Sequence, residues 1–506
     1  MAREAVEAAE RDAGIRMAEL KVDGGAAEEQ APQGRRAIMG RVGKSWLAVA
    51  VVLLVGALVV SGVLPAAAAS APKNIIILFA DGTAAAQVEI ARLYNRHIHN
   101  AGLAITDVIM RRGSLGLMSS HPVEAIATDS AAAGSAMFTG VKTTIGTISM
   151  TPDGKPARTA AEAARAAGKR VGIVTTATVY DATPASFSVH AKSRRESQAI
   201  VDQYLTLGLD VILGGGRDFF LPTGTGEGKR TDGKDLIAAF RGKGYAYAAT
   251  PSELKAASAQ RLLGLFAWED MAFEIDRDPA AEPSLRDMTE AALRTLAQGS
   301  PNGFVLLLET ENTDTAGHRN DIAALIHALR EFDAAVQVAY DFSRRAPDET
   351  LLIVTGDHET GGLSVTYAQK EMTPSSSKRF YAGPEHLKLV SRITLSLEKA
   401  HGILGKKPDP AALDALVQKH FPGFTLDADL REAILEQKML ERNCTYPTPC
   451  ALGRMVSRQT GIYWGTSGHS AQPVFVSAVG PGAERFRGFM DNTEFGKALL
   501  GLLDAR

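Results

Sequence analysis

The sequence predicts an α/β fold, a mostly parallel central sheet with helices on both faces. Apolar runs of strand length such as Ile75-Ile76-Ile77-Leu78-Phe79 and Leu351 to Thr355 are what strands covered on both faces require. Helical segments separate those runs, the rhythm of parallel strands joined by crossovers. At 506 residues, 45% of them hydrophobic, the chain can bury a large core, and its size suggests two or three structural units.

The first 71 residues read as a processing region. From Trp46 to Leu64 the chain is almost wholly apolar, with Arg35, Arg36, Arg41 and Lys44 before it and the small residues Ala66 to Ala71 after it. That order is the order of a secretory signal cleaved near Ala69 or Ala71, and a start at Met39 would make the signal compact. About 20 apolar residues also span a bilayer, so a retained anchor is the competing reading. Either way the rest of the chain is expected outside the cytoplasmic membrane: periplasmic or extracellular after cleavage, membrane-anchored otherwise. A bond between Cys444 and Cys450, the two cysteines of the chain, can persist there.

After Phe79, Ala84 to Asn95 can form a helix and Ser114 to Ser119 a short strand. Then come a helix opening at Ser130, a helix near Thr159 to Ala167 and the strand Val171 to Thr176. A helix over Glu196 to Leu207, the strand Val211 to Leu213 and a helix over Leu285 to Ala297 follow. Phe304 to Leu308 is a buried strand, Asp321 to Phe342 a long helix and Leu351 to Thr355 another buried strand. Leu221 to Glu282, rich in Gly, Lys and Ala, has no pattern that places it. Beyond His358, helices are expected over Glu385 to Ala400 and Asp427 to Leu440 before the strand Val474 to Ala478. The expected domains are a catalytic core over 72–370, a smaller insertion over 371–460 and a return to the core over 461–506.

Ligands of such sheets collect beyond the carboxyl ends of the strands. Asp81, Glu309 and Asp357-His358 each stand at or just after the end of a predicted strand. Asp314 and His318 are four apart, so on a helical turn they share a face and can hold one metal ion through oxygen and nitrogen. His469 stands in a Gly/Ser loop before the last strand; histidines such as His97, His99, His190 and His327 have no comparable context. Asp181 and Thr183 offer oxygens that suit a hard ion such as magnesium. Arg194 and Arg195 offer guanidinium groups for a phosphate. Ser130 follows Asp129 and opens an alanine run, so its hydroxyl would lie at a helix N-terminus that favours an anionic oxygen. An Asp or Ser before such a run also serves as an ordinary helix cap.

Charge excludes other classes. A net charge of −2, from 55 basic and 57 acidic residues, gives no global attraction for nucleic acid or for an anionic membrane surface. Membrane contact is expected only through the N-terminal segment, and a homodimer is left open.

Taken in order, Asp81-Gly82, Thr128-Asp129-Ser130-Ala131-Ala132, Asp181-Ala182-Thr183-Pro184, Ser193-Arg194, Glu309 with Asp314 and His318, Asp357-His358-Glu359-Thr360-Gly361-Gly362 and Gly468-His469 resemble the alkaline phosphatase family. The resemblance runs from about Lys73 to Asp491 and implies a three-layer α/β/α sandwich with a smaller inserted crown-like region. It also implies hydrolysis of phosphate monoesters with two zinc ions and one magnesium ion, through a phosphoserine at Ser130. Carried over by position, Asp314, His318 and His469 would hold the first zinc, and Asp81, Asp357 and His358 the second. Asp81, Thr183 and Glu309 would share magnesium, with Asp181 in its outer shell, and Arg194, oriented by Asp129, would grip the phosphate. An alkaline activity optimum follows from the same resemblance. Two positions depart from the family: Thr315 stands where many relatives carry a larger group that contacts phosphate through water, and Thr310 where glycine is common. The alternatives are a phosphodiesterase or sulfatase of the same superfamily, or a non-catalytic phosphate- or metal-binding relative. Sulfatases need a C/S-x-P-x-R context that Ser130 lacks, and Arg194 favours monoesters over diesters.

Overall fold

The computed structural model describes residues 71–369 and 378–505, so the leader and signal expected over 1–71 lie, but for residue 71, outside the described residues. Ten strands form one sheet: β1 (Asn74–Ala80), β2 (Ser114–Ser119), β3 (Arg170–Thr178), β4 (Val211–Gly215), β5 (Ala246–Ala248), β6 (Leu262–Leu265), β7 (Phe304–Thr310), β8 (Thr350–Thr355), β9 (Val474–Val479) and β10 (Gly488–Asp491). Their order is β10-β2-β9-β8-β1-β7-β3-β4-β6-β5. Only β9 runs against the rest, antiparallel to both β2 and β8.

The alternation of side chains along the central strands builds two cores. Ile76 and Leu78 of β1, with Leu306 and Leu308 of β7 and Leu352 and Val354 of β8, face one apolar cluster. Ile75, Ile77 and Phe79, with Val305, Leu307, Leu351 and Ile353, face the other. Because both faces are covered, these strands are apolar at nearly every position, the pattern the sequence shows. Helices α1 (Ala85–His99), α4 (Leu285–Ala297) and α6 (Ile322–Ser343) close the first face; α2 (Ser130–Thr139), α3 (Ala182–Ser188) and α8 (Asn492–Asp504) close the second. The remaining two labelled helices are α5 (Asn312–Arg319) and α7 (Pro447–Thr460).

The unplaced stretch Leu221 to Glu282 supplies the far edge of the sheet, β5 and β6, with short helices at Leu236–Gly242 and Pro251–Ala256. Strands of three and four residues are too short to carry a periodic signal. The loop before them is fastened by Arg230, whose buried guanidinium donates to Asp202 at 2.8 Å, Asp232 at 2.7 Å and the Phe219 carbonyl at 3.1 Å.

The helix expected over Glu385 to Ala400 is two helices, Pro384–Val390 and Leu397–Leu404, because Ser396 caps the second by accepting from the Lys399 amide. The helix expected over Asp427 to Leu440 is Ala428–Leu435, stopped before Gln437, whose φ of 52° no helix continues. Between His358 and His469 the chain leaves the main sheet for these helices, α7 and short two-stranded pairings, then re-enters as β9. Cys444 and Cys450 are bonded. Among the described residues no helix is long and apolar enough to cross a membrane.

Candidate active site

The predicted site residues meet at the carboxyl edge of the sheet. Asp81 follows β1, Glu309 is the last residue but one of β7, Asp357 and His358 follow β8, and Asp181 and Thr183 follow β3. The one antiparallel strand, β9, begins at the edge where the others end, so His469 ahead of it arrives at the same place. Gly82 lets these elements close up. With φ at 67°, it sits where a Cβ would lie 2.6 Å from Asp314 Oδ1.

Ser130 is the first residue of α2, and Asp129 is the N-cap, accepting from the Ala132 amide at 3.0 Å and from the Gly146 amide at 3.2 and 3.1 Å. The capping expectation and the nucleophile expectation therefore fall on neighbouring residues. Every residue of α2 is buried, and α3 approaches so closely that a Cβ on Gly134 would lie 2.4 Å from Ser186 Oγ. The small residues fix the helix deep in the fold. Ser130, 3% exposed, places its Oγ 3.1 Å from His358 Nε2.

Three histidines present the same ring nitrogen to the site. His318 Nδ1 donates to the Ser467 carbonyl at 2.6 Å, and His469 Nδ1 donates to the Thr128 carbonyl at 2.7 Å. A carbonyl oxygen only accepts, so each Nδ1 carries a proton, and in the neutral imidazole each Nε2 keeps the lone pair that a metal ion takes. Thr360 Oγ1 donates to Asp314 Oδ1, which leaves its oxygen to accept from His358 Nδ1 at 3.3 Å. Nε2 of His318 and of His469 lie 3.1 Å apart, with Asp314 Oδ2 3.1 Å from the former and Oδ1 3.6 Å from the latter. Nε2 of His358 lies 3.1 Å from Asp357 Oδ2 and 3.6 Å from Asp81 Oδ1. The two groups adjoin: the His358 and His469 rings stack at 3.7 Å, so His358 also lies close to Asp314 and His469.

The carboxylates of this cluster are short of partners. Asp81 Oδ1, Asp357 Oδ2 and Glu309 Oε1 are buried and accept no hydrogen bond. Burial, then the charge of Asp357 and Asp314, pushes Asp81 well above the usual carboxylate range. Burial and Asp314 push Asp357 up to about 7; burial, with Asp181 adding, pushes Glu309 up to about 8. Asp314 goes the other way: burial opposes it, but His318, His469 and His358 hold it well below its ordinary value. His358 is pushed well down by burial and by His469. Lone pairs and unpartnered carboxylate oxygens aimed at common points are what cations complete. Nitrogen with carboxylate fits zinc at both histidine groups. Asp81 Oδ2, which accepts from Thr183 Oγ1 at 3.3 Å, and the bare Glu309 Oε1 form an all-oxygen set that fits magnesium.

Arg194 lies in the loop after α3. Its Nη2 donates to Asp181 Oδ1 at 3.0 Å and Oδ2 at 3.3 Å, and its Nη1 to Asp129 Oδ2 at 3.4 Å. Those two carboxylates raise its pKa further against the opposing effect of burial. The expected hold of Asp129 on Arg194 is present but is the longer one, and Asp181, expected beside magnesium, directs its carboxylate to Arg194. A cavity of about 670 Å³ opens here, lined by Asp129, Gly146, Tyr180, Asp181, Arg194 and Arg195. Replacing Asp181 by alanine is expected to lower kcat/KM on a phosphate monoester about tenfold, mostly through KM, because a charged hydrogen bond that orients the guanidinium is lost. Initial-rate kinetics check this.

Thr315 donates to Glu311 Oε1 at 2.5 Å. Thr310 adopts no positive φ, and its carbonyl accepts from the Asp81 amide at 3.1 Å, so the residue common in relatives is not needed there. Sequence reasoning missed Thr360, Thr175, which donates to Glu309 Oε2 at 2.5 Å, and Glu311, pushed well up by burial and then by Asp270. Thr360 lies two residues after His358, a position that signals it; Thr175 carries no signal beyond lying near a strand end.

A family model described as alkaline phosphatase matches residues 72–504. Among similar proteins, the repressible alkaline phosphatase of Saccharomyces cerevisiae is 32% identical over 85% of this chain and 81% of its own length. Alkaline phosphatase 4 of Bacillus subtilis is 29% identical over 85% of this chain and 88% of its own length. The crystal structure of Thermus thermophilus alkaline phosphatase superposes with a TM-score of 0.76 at 33% identity, covering 86% of this chain and 92% of that one.

Proposed function

The chain belongs to the alkaline phosphatase family, and from that premise we propose that it hydrolyses phosphate monoesters through a phosphoserine on Ser130, at a centre of two zinc ions and one magnesium ion. One observation carries the proposal: His358 Nε2, with two unpartnered carboxylate oxygens beside it, lies 3.1 Å from Ser130 Oγ. Asp314, His318 and His469 would hold one zinc, Asp81, Asp357 and His358 the other, and Asp81, Thr183 and Glu309 the magnesium. The bound ions supply the positive charge that favours a deprotonated Ser130 hydroxyl and a departing ester oxygen.

The chain's own groups do the rest. Ser130 Oγ attacks phosphorus, the bond to the ester oxygen breaks, and the alcohol leaves with a proton from water. Arg194, held from behind by Asp181 and Asp129, binds the non-bridging oxygens whose charge is redistributed in each transfer. Water then attacks the phosphoserine, the bond to Oγ breaks, and phosphate and free Ser130 result. In this reading the basic, apolar and small segments ahead of residue 72 deliver the core across the cytoplasmic membrane.

Turnover of p-nitrophenyl phosphate, its bis-ester and p-nitrophenyl sulfate tests the proposal. The monoester is expected to be cleaved fastest, and its cleavage to stop in chelator. Equal or faster cleavage of the diester or the sulfate would overturn it.

A further inference from the structure

The ring of His318 is oriented by a hydrogen bond to a loop, and that loop is fastened elsewhere. Imidazole χ2 is a soft torsion, so the Nδ1 bond to the Ser467 carbonyl sets where Nε2 points. Ser467 lies in the irregular stretch between Ile462–Trp464 and His469–Ser470, where no ladder fixes it. Its neighbours Thr466 and Gly468 are tied to Gly361 and Asn320, but the bonds that Ser467 itself donates go to Asn443. The Ser467 amide donates to the Asn443 carbonyl at 3.0 Å, the Ser467 hydroxyl donates to the same oxygen, and Asn443 Nδ2 donates to the Gly465 carbonyl at 3.0 Å.

Asn443 is itself anchored on both sides to α7. Cys444, the next residue, is bonded to Cys450. Two residues before Asn443, Glu441 pairs with Arg454 through both oxygens at 2.7 Å, and Arg454 also donates to the Trp464 carbonyl at 3.1 Å. Cys450 and Arg454 are four apart and share one face of α7. The disulfide loop meets the His318 helix a second time, where the Arg319 guanidinium sits 4.9 Å from the Tyr446 ring.

We infer that Asn443, held by the Cys444–Cys450 bond and the Glu441–Arg454 pair, is a positioning residue for His318 and so for retention of the zinc ion that His318 binds. The inference rests on the proposed reading of His318 as a zinc ligand. The second histidine group adjoins the first but hangs on β1 and β8, and its ring and carboxylates make no hydrogen bond to Ser467 or Asn443, so its zinc is not held by this clamp.

The test follows zinc release from the full-length, metal-loaded protein to a chromophoric chelator. His318→Ala identifies the release phase that belongs to the His318 site. In a Cys444→Ser/Cys450→Ser double variant that phase is expected to accelerate about tenfold, the usual scale for loss of an outer-shell support, while the other phase stays within about twofold. Asn443→Ala, which keeps the disulfide, is expected to accelerate the same phase about fivefold, the scale of one lost hydrogen bond, and remains decisive if the double variant does not fold. An unchanged His318 phase in these variants, or equal acceleration of both phases, overturns the inference. Zinc release identical in His318→Ala and wild type overturns instead the assignment of His318 as a ligand, and the inference with it.

Discussion

Ser130→Ala is expected to lose at least about a thousandfold in kcat on p-nitrophenyl phosphate while keeping its zinc, because alanine removes the only atom at this position that can take the phosphoryl group. The helix survives the change: Asp129 remains the cap, alanine is the best helix former, and Ser130 Oγ makes its one polar contact, at 3.1 Å, with His358 Nε2. Residual turnover would come from water attacking directly in a site that still binds and orients the ester. Acid quench with labelled substrate separates the two routes. Wild type is expected to carry label on Ser130, and the variant none. A variant within about tenfold of wild type would remove Ser130 from the mechanism.

The parts of this site that could be read in the sequence are those whose chemistry is carried by side chains at strand ends. β1, β7 and β8 are apolar over both faces and then turn abruptly to Asp81, Glu309 and Asp357. A change from core to charge at the end of a buried strand has few structural explanations, and the recurrence of that change locates the site before any coordinates do. The supporting contacts had no such mark. The carbonyls of Thr128 and Ser467, which set the rings of His469 and His318, belong to the backbone, and any residue type could supply them. Asp181 could be read as an oxygen donor for a hard ion together with Thr183; only the fold shows its carboxylate turned to Arg194. The edge strands β5 and β6 stayed hidden for a different reason, being short and preceded by a loop whose order depends on Arg230 rather than on periodicity.

The same unpartnered carboxylates that fit the metal ions make the metal-free protein sensitive to pH. Chelator-treated protein is expected to melt at least about 5 °C below the metal-loaded form near pH 8, and the gap to shrink as the pH falls towards about 5. In the metal-free fold Asp81 is pushed well up, Asp357 to about 7 and Glu309 to about 8, whereas the unfolded chain releases those protons near pH 4. Between these values the folded state binds more protons than the unfolded state, so stability falls as pH rises. Bound cations take the place of the protons and remove that slope. Asp81→Asn deletes one of the charges that oppose one another and is expected to raise the melting temperature of the chelated protein near pH 8 while abolishing most activity of the metal-treated protein, since in the proposed reading this one carboxylate would serve both the second zinc and the magnesium. Differential scanning calorimetry of both proteins, chelated and loaded, across this pH range provides the check. A flat pH profile for chelated wild type, or a lower melting temperature for chelated Asp81→Asn, would mean that the folded protein already compensates these carboxylates without a metal ion. The expected result instead makes the site a local cost in stability that the fold carries until the ions arrive.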